Sequence, residues 1–179
     1  MGRDKATIAV DASGATLAQR LATALGTVAD PVVEVGDGAT ELRAVREEPP
    51  GSGPLAAIGA GWAALDPAPE AVLVVACDMP NVDEQFLRWL ADHAADGSVV
   101  PVAGRHPQPL CARWTASAMA TIPDLLASGE RSLRSLLAQD DVTLAPEVEW
   151  RRVGGAGALA DIDTPADLRR LLPDAPAAP

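Results

Sequence analysis

Five segments of the sequence combine reactive residue types with positions that a fold could exploit. The first is Cys77-Asp78-Met79-Pro80, at the end of the most continuous apolar run. An aspartate there can simply cap a turn. As chemistry, a carboxylate projecting from a rigid strand end is a hard ligand for Mg²⁺ holding phosphate oxygens. The second is Asp161-Ile162-Asp163-Thr164-Pro165, two acids ahead of a helix start that Thr164 already caps. Two residues apart in an extended segment, they project to the same side and suit a shared cation. The third, Pro49-Pro50-Gly51-Ser52-Gly53-Pro54, reads either as an ordinary turn or as a stiff loop that lets a planar base or a phosphate approach the backbone. The helix it leads into favours anions at its N-terminus. It does not match the Gly-x-x-x-x-Gly-Lys phosphate loop. The fourth is Met1-Gly2-Arg3-Asp4-Lys5. Thirteen of the fourteen cationic residues are arginine, and Lys5 is the only lysine. A solvated charge is its plain reading, and an ammonium point charge at a phosphate cluster its chemical one. The fifth is Arg105-His106-Pro107-Gln108-Pro109, a polar loop that either turns the chain or touches a substrate.

Other chemistries find little support. Cys77 and Cys111 have no CxxC spacing and cannot build a disulfide framework, and the two histidines are not spaced as ligands of one zinc. His93 reads as a solvated helix-face residue and both cysteines as core. No Gly-x-Ser-x-Gly elbow points to covalent catalysis. A formal charge of −11 opposes binding to polymeric nucleic acid or an anionic membrane. A small anionic ligand remains compatible where a metal ion offsets the mean field. The absence of an eighteen-residue apolar run and of an apolar signal core leads us to expect a cytoplasmic chain with no membrane contact.

Short apolar runs alternate with amphipathic stretches, which predicts an α/β fold with a largely parallel sheet. Residues 16–25 read as a helix with Gly26 as C-cap, 31–35 as a strand closed by a Gly-Asp-Gly turn, and a helix opens at Pro54. The run 71–77 reads as a strand covered on both faces. Asp83 caps the next helix; 98–102 and 109–114 read as strands, 116–126 and 132–139 as helices, and 142–144 and 148–153 as weaker strands. The last helix starts at Thr164 and Pro165. The whole reads as one domain, 1–172, followed by a disordered tail, 173–179. With no tyrosine and one phenylalanine, the core must be aliphatic, with four tryptophans as its large fillers.

Taken in order, MGRDKATI, REEPPGSGPLAAI, VVACDMP, QPLCA, GERSLRSLL and DIDTPADL resemble the motifs of the molybdenum cofactor guanylyltransferase family. The resemblance covers nearly the whole chain. It implies a three-layer α/β sandwich, a Rossmann-like nucleotidyltransferase fold with a mostly parallel central sheet. It also implies Mg²⁺-dependent transfer of GMP from GTP to a terminal phosphate of molybdopterin, with release of pyrophosphate. Within it Lys5 and Asp78 are the catalytic pair. Lys5, Glu48, Pro50, Gly51, Gly53, Pro54, Leu55 and Asp78 contact the nucleotide, and Asp78 and Asp163 hold the metal. Arg105, Gln108, Arg131 and Asp161 lie towards the acceptor. Transient contact with molybdoenzymes or cofactor-handling proteins would follow from the same role.

The sequence departs from the family pattern in three places. It opens inside the first motif, without the preceding strand and Gly-Gly…Arg loop. The expectation is a coding start upstream of Met1, and a chain as written that binds GTP weakly and melts early. Glu48 replaces the usual aspartate, and Asp161-Ile162-Asp163 replaces asparagines, an acidic form commoner among cytidylyltransferases. A cytidylyltransferase, another small-cofactor nucleotidyltransferase of the same fold, and a non-catalytic binding or regulatory relative are the alternatives.

Overall fold

The computed structural model describes residues 5–11, 13–139, 141–173 and 175. After a 3₁₀ turn at Lys5–Thr7 comes helix α1, Leu17–Gly26. Thr16 and Gln19 form a reciprocal capping box at its start, satisfying amides that the first helical turn cannot. Gly26 is the last helical residue and Thr27, in right-handed conformation, is the cap. The helix thus ends one residue later than the glycine suggests.

Strands β1, Val33–Val35, and β2, Arg43–Val45, pair in parallel. The short strand β2 has no apolar pattern and is absent from the sequence reading. Helix α2, Pro54–Ala63, opens on Gly53 with proline in its first turn. Strand β3, Ala71–Val75, leads through helix α3, Glu84–Ala91, to strand β4, Ser98–Ala103. The polar loop after β4 is a hairpin carrying the two-residue strand β5, His106–Pro107, and it returns as β6, Cys111–Thr115.

In place of one helix at 116–126 there are two, α4, Ala116–Ala120, and α5, Ile122–Ala127. Pro123 sits in the first turn of α5, where its missing N–H costs nothing but from which α4 cannot continue. Helix α6 is only Arg134–Leu137, and strand β7 is Val142–Ala145. Residues 148–153, read as a strand, lie in helix α7, Glu147–Gly154. Glutamates fill its first turn and arginines its last, matching the helix dipole. Glu147 pairs with Arg151 one turn on, and Trp150 is its buried anchor. Helix α8, Pro165–Leu171, closes the described chain. Residues 1–4, 174 and 176–179, and with them most of the expected disordered tail, lie outside the described residues.

The main sheet runs β3-β6-β4-β5, with β7 on β4. Its pairings correct the expectation of a mostly parallel sheet: β3·β6, β6·β4 and β4·β5 are antiparallel, and only β4·β7 is parallel. The physical reason is the hairpin after β4, whose strands β5 and β6 both run against β4. β3, β4 and β7 run in a common direction, but the hairpin after β4 returns the chain as β6, which inserts between β3 and β4. Each neighbour of β6 is thereby made antiparallel.

The three layers are visible in how alternate residues sort. Val99, Cys111, Leu73 and Val75 face a core with Leu21, Phe86, Leu87 and Trp150, from α1, α3 and α7. Val100, Ala112, Val72 and Val74 face the opposite core with Leu55, Ile58, Met119 and Leu136, from α2, α4 and α6. The period of two along each strand divides the apolar residues between two helical layers.

Among the described residues β3 is paired on one edge only. Its other edge borders an apolar cavity of about 670 Å³, lined by residues 71–78 and 32–35 without interruption. A cavity over a sheet face would touch every second residue, so this one lies along the edges of β1 and β3, between α1 and α2.

Candidate active site

Lys5 Nζ donates 2.8 Å to Asp163 Oδ1 and 3.1 Å to Asp78 Oδ2. Three groups far apart in sequence therefore meet around one nitrogen, and each has its own support. Asp78 stands three residues beyond β3, between the strand and the buried Met79 and Pro80. The backbone carbonyl of Asp78 accepts from Ile162 N at 2.9 Å, and the Ile162 side chain is fully buried. That bond ties the segment before α8 to the end of β3 and brings Asp163 into place. On the other side Thr164 caps α8 in a reciprocal box with Asp167, so Asp163 is released from capping duty. Lys5 is fixed by its 3₁₀ turn, whose Lys5 carbonyl accepts from Ile8 N, and Ile8 packs with Val10, Leu17, Ile162 and Leu172.

The Asp163 carboxylate, with Asp78 behind it, holds the Lys5 ammonium above its ordinary pKa against the opposing effect of partial burial. Asp78 is the more sheltered acid, with 26% of its side chain exposed against 67% for Asp163. Among the described residues no group of three or more His, Cys, Asp and Glu side chains gathers as a closed metal cage. Two partly hydrated carboxylates nevertheless fit a hard divalent ion that takes its remaining ligands from phosphate and water. Asp161, expected to point the same way as Asp163, is exposed and makes no ion pair with Lys5.

Asp78 and Pro54 both line the large cavity. From the glycine loop only Pro54, and from the acidic cluster only Asp78, reach this space. Gly51 and Gly53 have φ of +78° and +95°, values that glycine alone adopts without strain. A Cβ on Gly53 would stand 3.4 Å from the Arg131 carbonyl, so the loop packs directly on the segment containing Arg131. The Arg131 guanidinium donates to the carbonyls of Leu126 and Glu130, and the Glu130 carboxylate accepts from Arg131 N and Ser132 N. Glu48 and Pro50 are exposed, while Leu55 is fully buried against the core. Arg105 is exposed at the hairpin tip beside Gly104. Gln108 keeps its backbone N–H on Pro101 O and its side-chain amide on His106 O.

Some contributors escaped the sequence reading. Glu47, beside the expected Glu48, is half-buried and accepts from Gly51 N at 2.9 Å. Arg113 donates to the carbonyls of Ala91, His93, Ala95 and Gly97, fixing the turn between α3 and β4, and its burial lowers its pKa. An arginine inside an otherwise apolar strand was the available signal. His93 lies just beyond α3 with 14% of its side chain exposed, its ring bonded to Glu149 and to Ala95 N. It is therefore not the solvated residue expected. Cys111 is buried and its thiol is pushed up to about 12, which agrees with a core role.

Comparison with known proteins bears on this arrangement. Residues 1–144 match the model of the MobA-like NTP transferase domain. A probable molybdenum cofactor guanylyltransferase of Mycobacterium avium is 31% identical over 182 residues, covering 96% of this chain and 88% of that protein. Another, of Chloroflexus aggregans, is 36% identical over 132 residues, covering 71% and 62%. The crystal structure of molybdopterin-guanine dinucleotide biosynthesis protein A from Archaeoglobus fulgidus superposes with a TM-score of 0.73 at 22% identity, covering 96% of this chain and 90% of that one. At that identity the superposition speaks for the fold, and the matched domain and the Mycobacterium relative carry the rest: the chain belongs to the family of MobA-like NTP transferase domains.

Proposed function

We propose that this chain is a Mg²⁺-dependent nucleotidyltransferase that moves GMP from GTP to molybdopterin. A terminal phosphate oxygen of the acceptor forms a bond to the α-phosphorus, the α–β phosphoanhydride bond breaks, and pyrophosphate leaves. The observation that carries the reading is the meeting of Lys5, Asp78 and Asp163, with Asp78 on the wall of the cavity that Pro54 also lines.

Phosphoryl chemistry of this kind needs charge neutralisation and in-line positioning more than covalent help. Asp78 and Asp163 would hold the divalent ion, which, when bound, screens the triphosphate and makes pyrophosphate a better leaving group. Lys5, kept protonated by the two acids, supplies a movable positive charge to the phosphate oxygens. The divalent ion would also offset the mean field of a chain of net charge −11 toward a polyanion. Glu48 and the loop residues Pro50, Gly51, Gly53 and Pro54 are assigned to the base, whereas Leu55, expected beside them, is fully buried and anchors the loop to the core. The support for the base assignment is the open backbone of the two positive-φ glycines and the helix N-terminus behind them. Arg105, Gln108, Arg131 and Asp161 are assigned to the acceptor side. Residues 1–172 are assigned to one domain. No described helix is long and apolar enough to cross a membrane, and we place the reaction in the cytoplasm.

The test is pyrophosphate release from the chain with Mg²⁺, molybdopterin and each of GTP, CTP and ATP. Release with GTP alone supports the reading. Release with CTP instead keeps the mechanism and overturns the base assignment. Silence with all three, together with no nucleotide binding, overturns catalysis and leaves a binding or regulatory relative.

A further inference from the structure

The glycine loop is pinned at three points. Glu47 Oε1 accepts from Gly51 N at its start, Ser52 Oγ donates to Pro49 O in its middle, and Gly53 rests on the Arg131 backbone at its end. The second is made by the loop's own Ser52 side chain, and the third is a close approach of the Gly53 backbone to another segment. Only the first depends on a side chain from outside the loop, and that side chain is half-buried while its neighbour Glu48 is exposed. We infer that Glu47 is a positioning residue: its carboxylate sets the loop conformation that receives the nucleotide base, and it touches no substrate itself.

The two adjacent glutamates then divide the work. The chain turns so that one carboxylate faces inward onto a backbone amide and the other outward to solvent. An anionic acceptor on an N–H is among the stronger hydrogen bonds available to a loop. Gly51 has φ of +78°, and no atom lies within 4 Å of the place a side-chain carbon would occupy, so it has no packing of its own to hold it. Without Glu47 the loop samples other conformations, and each binding event must first restore the competent one.

This inference rests on the nucleotide-binding reading, and two measurements on the full chain separate the two. The first is amide exchange at Gly51. Gly51 is exposed, so its protection comes from the Glu47 bond. Glu47→Ala should speed exchange by about tenfold or more, whereas Glu47→Gln, which keeps an acceptor oxygen, should restore most of the protection. Glu48→Gln should leave Gly51 exchange unchanged. The second is GTP affinity and turnover. Glu47→Ala should raise Kd and KM by about tenfold to a hundredfold with kcat within about twofold, and Glu47→Gln should recover to within about threefold of the parent. Unchanged Gly51 exchange in Glu47→Ala overturns the inference whatever the nucleotide data. Faster exchange with unaltered affinity also overturns it, because the bond then holds a loop that the base does not use. If the unaltered chain binds none of GTP, CTP and ATP, the functional reading falls and the inference with it.

Discussion

Replacing Asp78 by asparagine separates catalysis from stability. The amide keeps an oxygen that Lys5 can donate to, and Lys5 retains its 2.8 Å bond to Asp163. What is removed is one negative charge at a pair of side chains 28% and 26% exposed. Partly exposed ion pairs are worth about 0–1 kcal/mol, so the melting temperature should move by no more than about 4 °C for a domain of this size. Catalysis should suffer far more. Losing one preorganised group that stabilises developing phosphate charge costs about 2.7–4 kcal/mol, or about a hundredfold to a thousandfold in kcat. The assay is pyrophosphate release at saturating Mg²⁺ beside a thermal melt of the same sample. Activity above about a tenth of the parent would refute the metal assignment. A fall in melting temperature beyond about 8 °C, near 2 kcal/mol or more, would show that Asp78 is chiefly structural.

Other consequences follow from the same geometry. Thr164→Ala removes one half of the capping box beside Asp163 and should cost about 0.5–2 kcal/mol in a denaturant melt; no change would mean that α8 is held by packing alone. Asp167 is held down to about 2 by Arg170 first and then Thr164, so its charge stabilises α8 above the ordinary value of 3.8 and that stability is lost as pH falls towards 2. The difference in melting temperature between parent and Asp167→Asn should accordingly be present at neutral pH and vanish in acid, and a difference that persists there would contradict the charge argument. Gly53→Ala places a side chain at φ +95° and 3.4 Å from the Arg131 carbonyl, and a loss of about 1–3 kcal/mol is expected by chemical melting. An unchanged melt would mean that the loop is not held in this conformation. Arg113→Met strips a charged donor from four backbone carbonyls and should destabilise by about 3 kcal/mol or more; a loss under about 1 kcal/mol would mean that water replaces the guanidinium.

Several elements could be read directly because local chemistry determines them. Thr164, Pro165 and Asp167 marked α8, Asp83 marked α3, and the apolar run from Ala71 marked β3, each through a cap or a periodicity confined to neighbouring residues. Where two local signals competed, the sequence misled. Residues 148–153 hold two valines and a tryptophan, which favour strand, yet the charge order of Glu147, Glu149, Arg151 and Arg152 favours helix. One buried face on Trp150 was enough to settle it. The direction of the strands was also hidden, because nothing in residues 109–114 says whether the hairpin before them returns beside β4 or crosses over.

By itself, then, the sequence determined which residue types were available and where the capped helices and the continuous apolar strand would lie. It singled out a lone lysine, an acid after a buried strand and an acid before a capped helix. Only the tertiary structure decided that these three meet within 3.1 Å of one nitrogen, that Asp161 stays outside the cluster, and that Glu47 rather than Glu48 turns onto the loop. The reason is range. Caps and periodicities act over a few residues, whereas Lys5 and Asp163 are 158 positions apart, and their meeting depends on the Asp78–Ile162 backbone bond and on the small core around Val10, Leu17, Ile162 and Leu172.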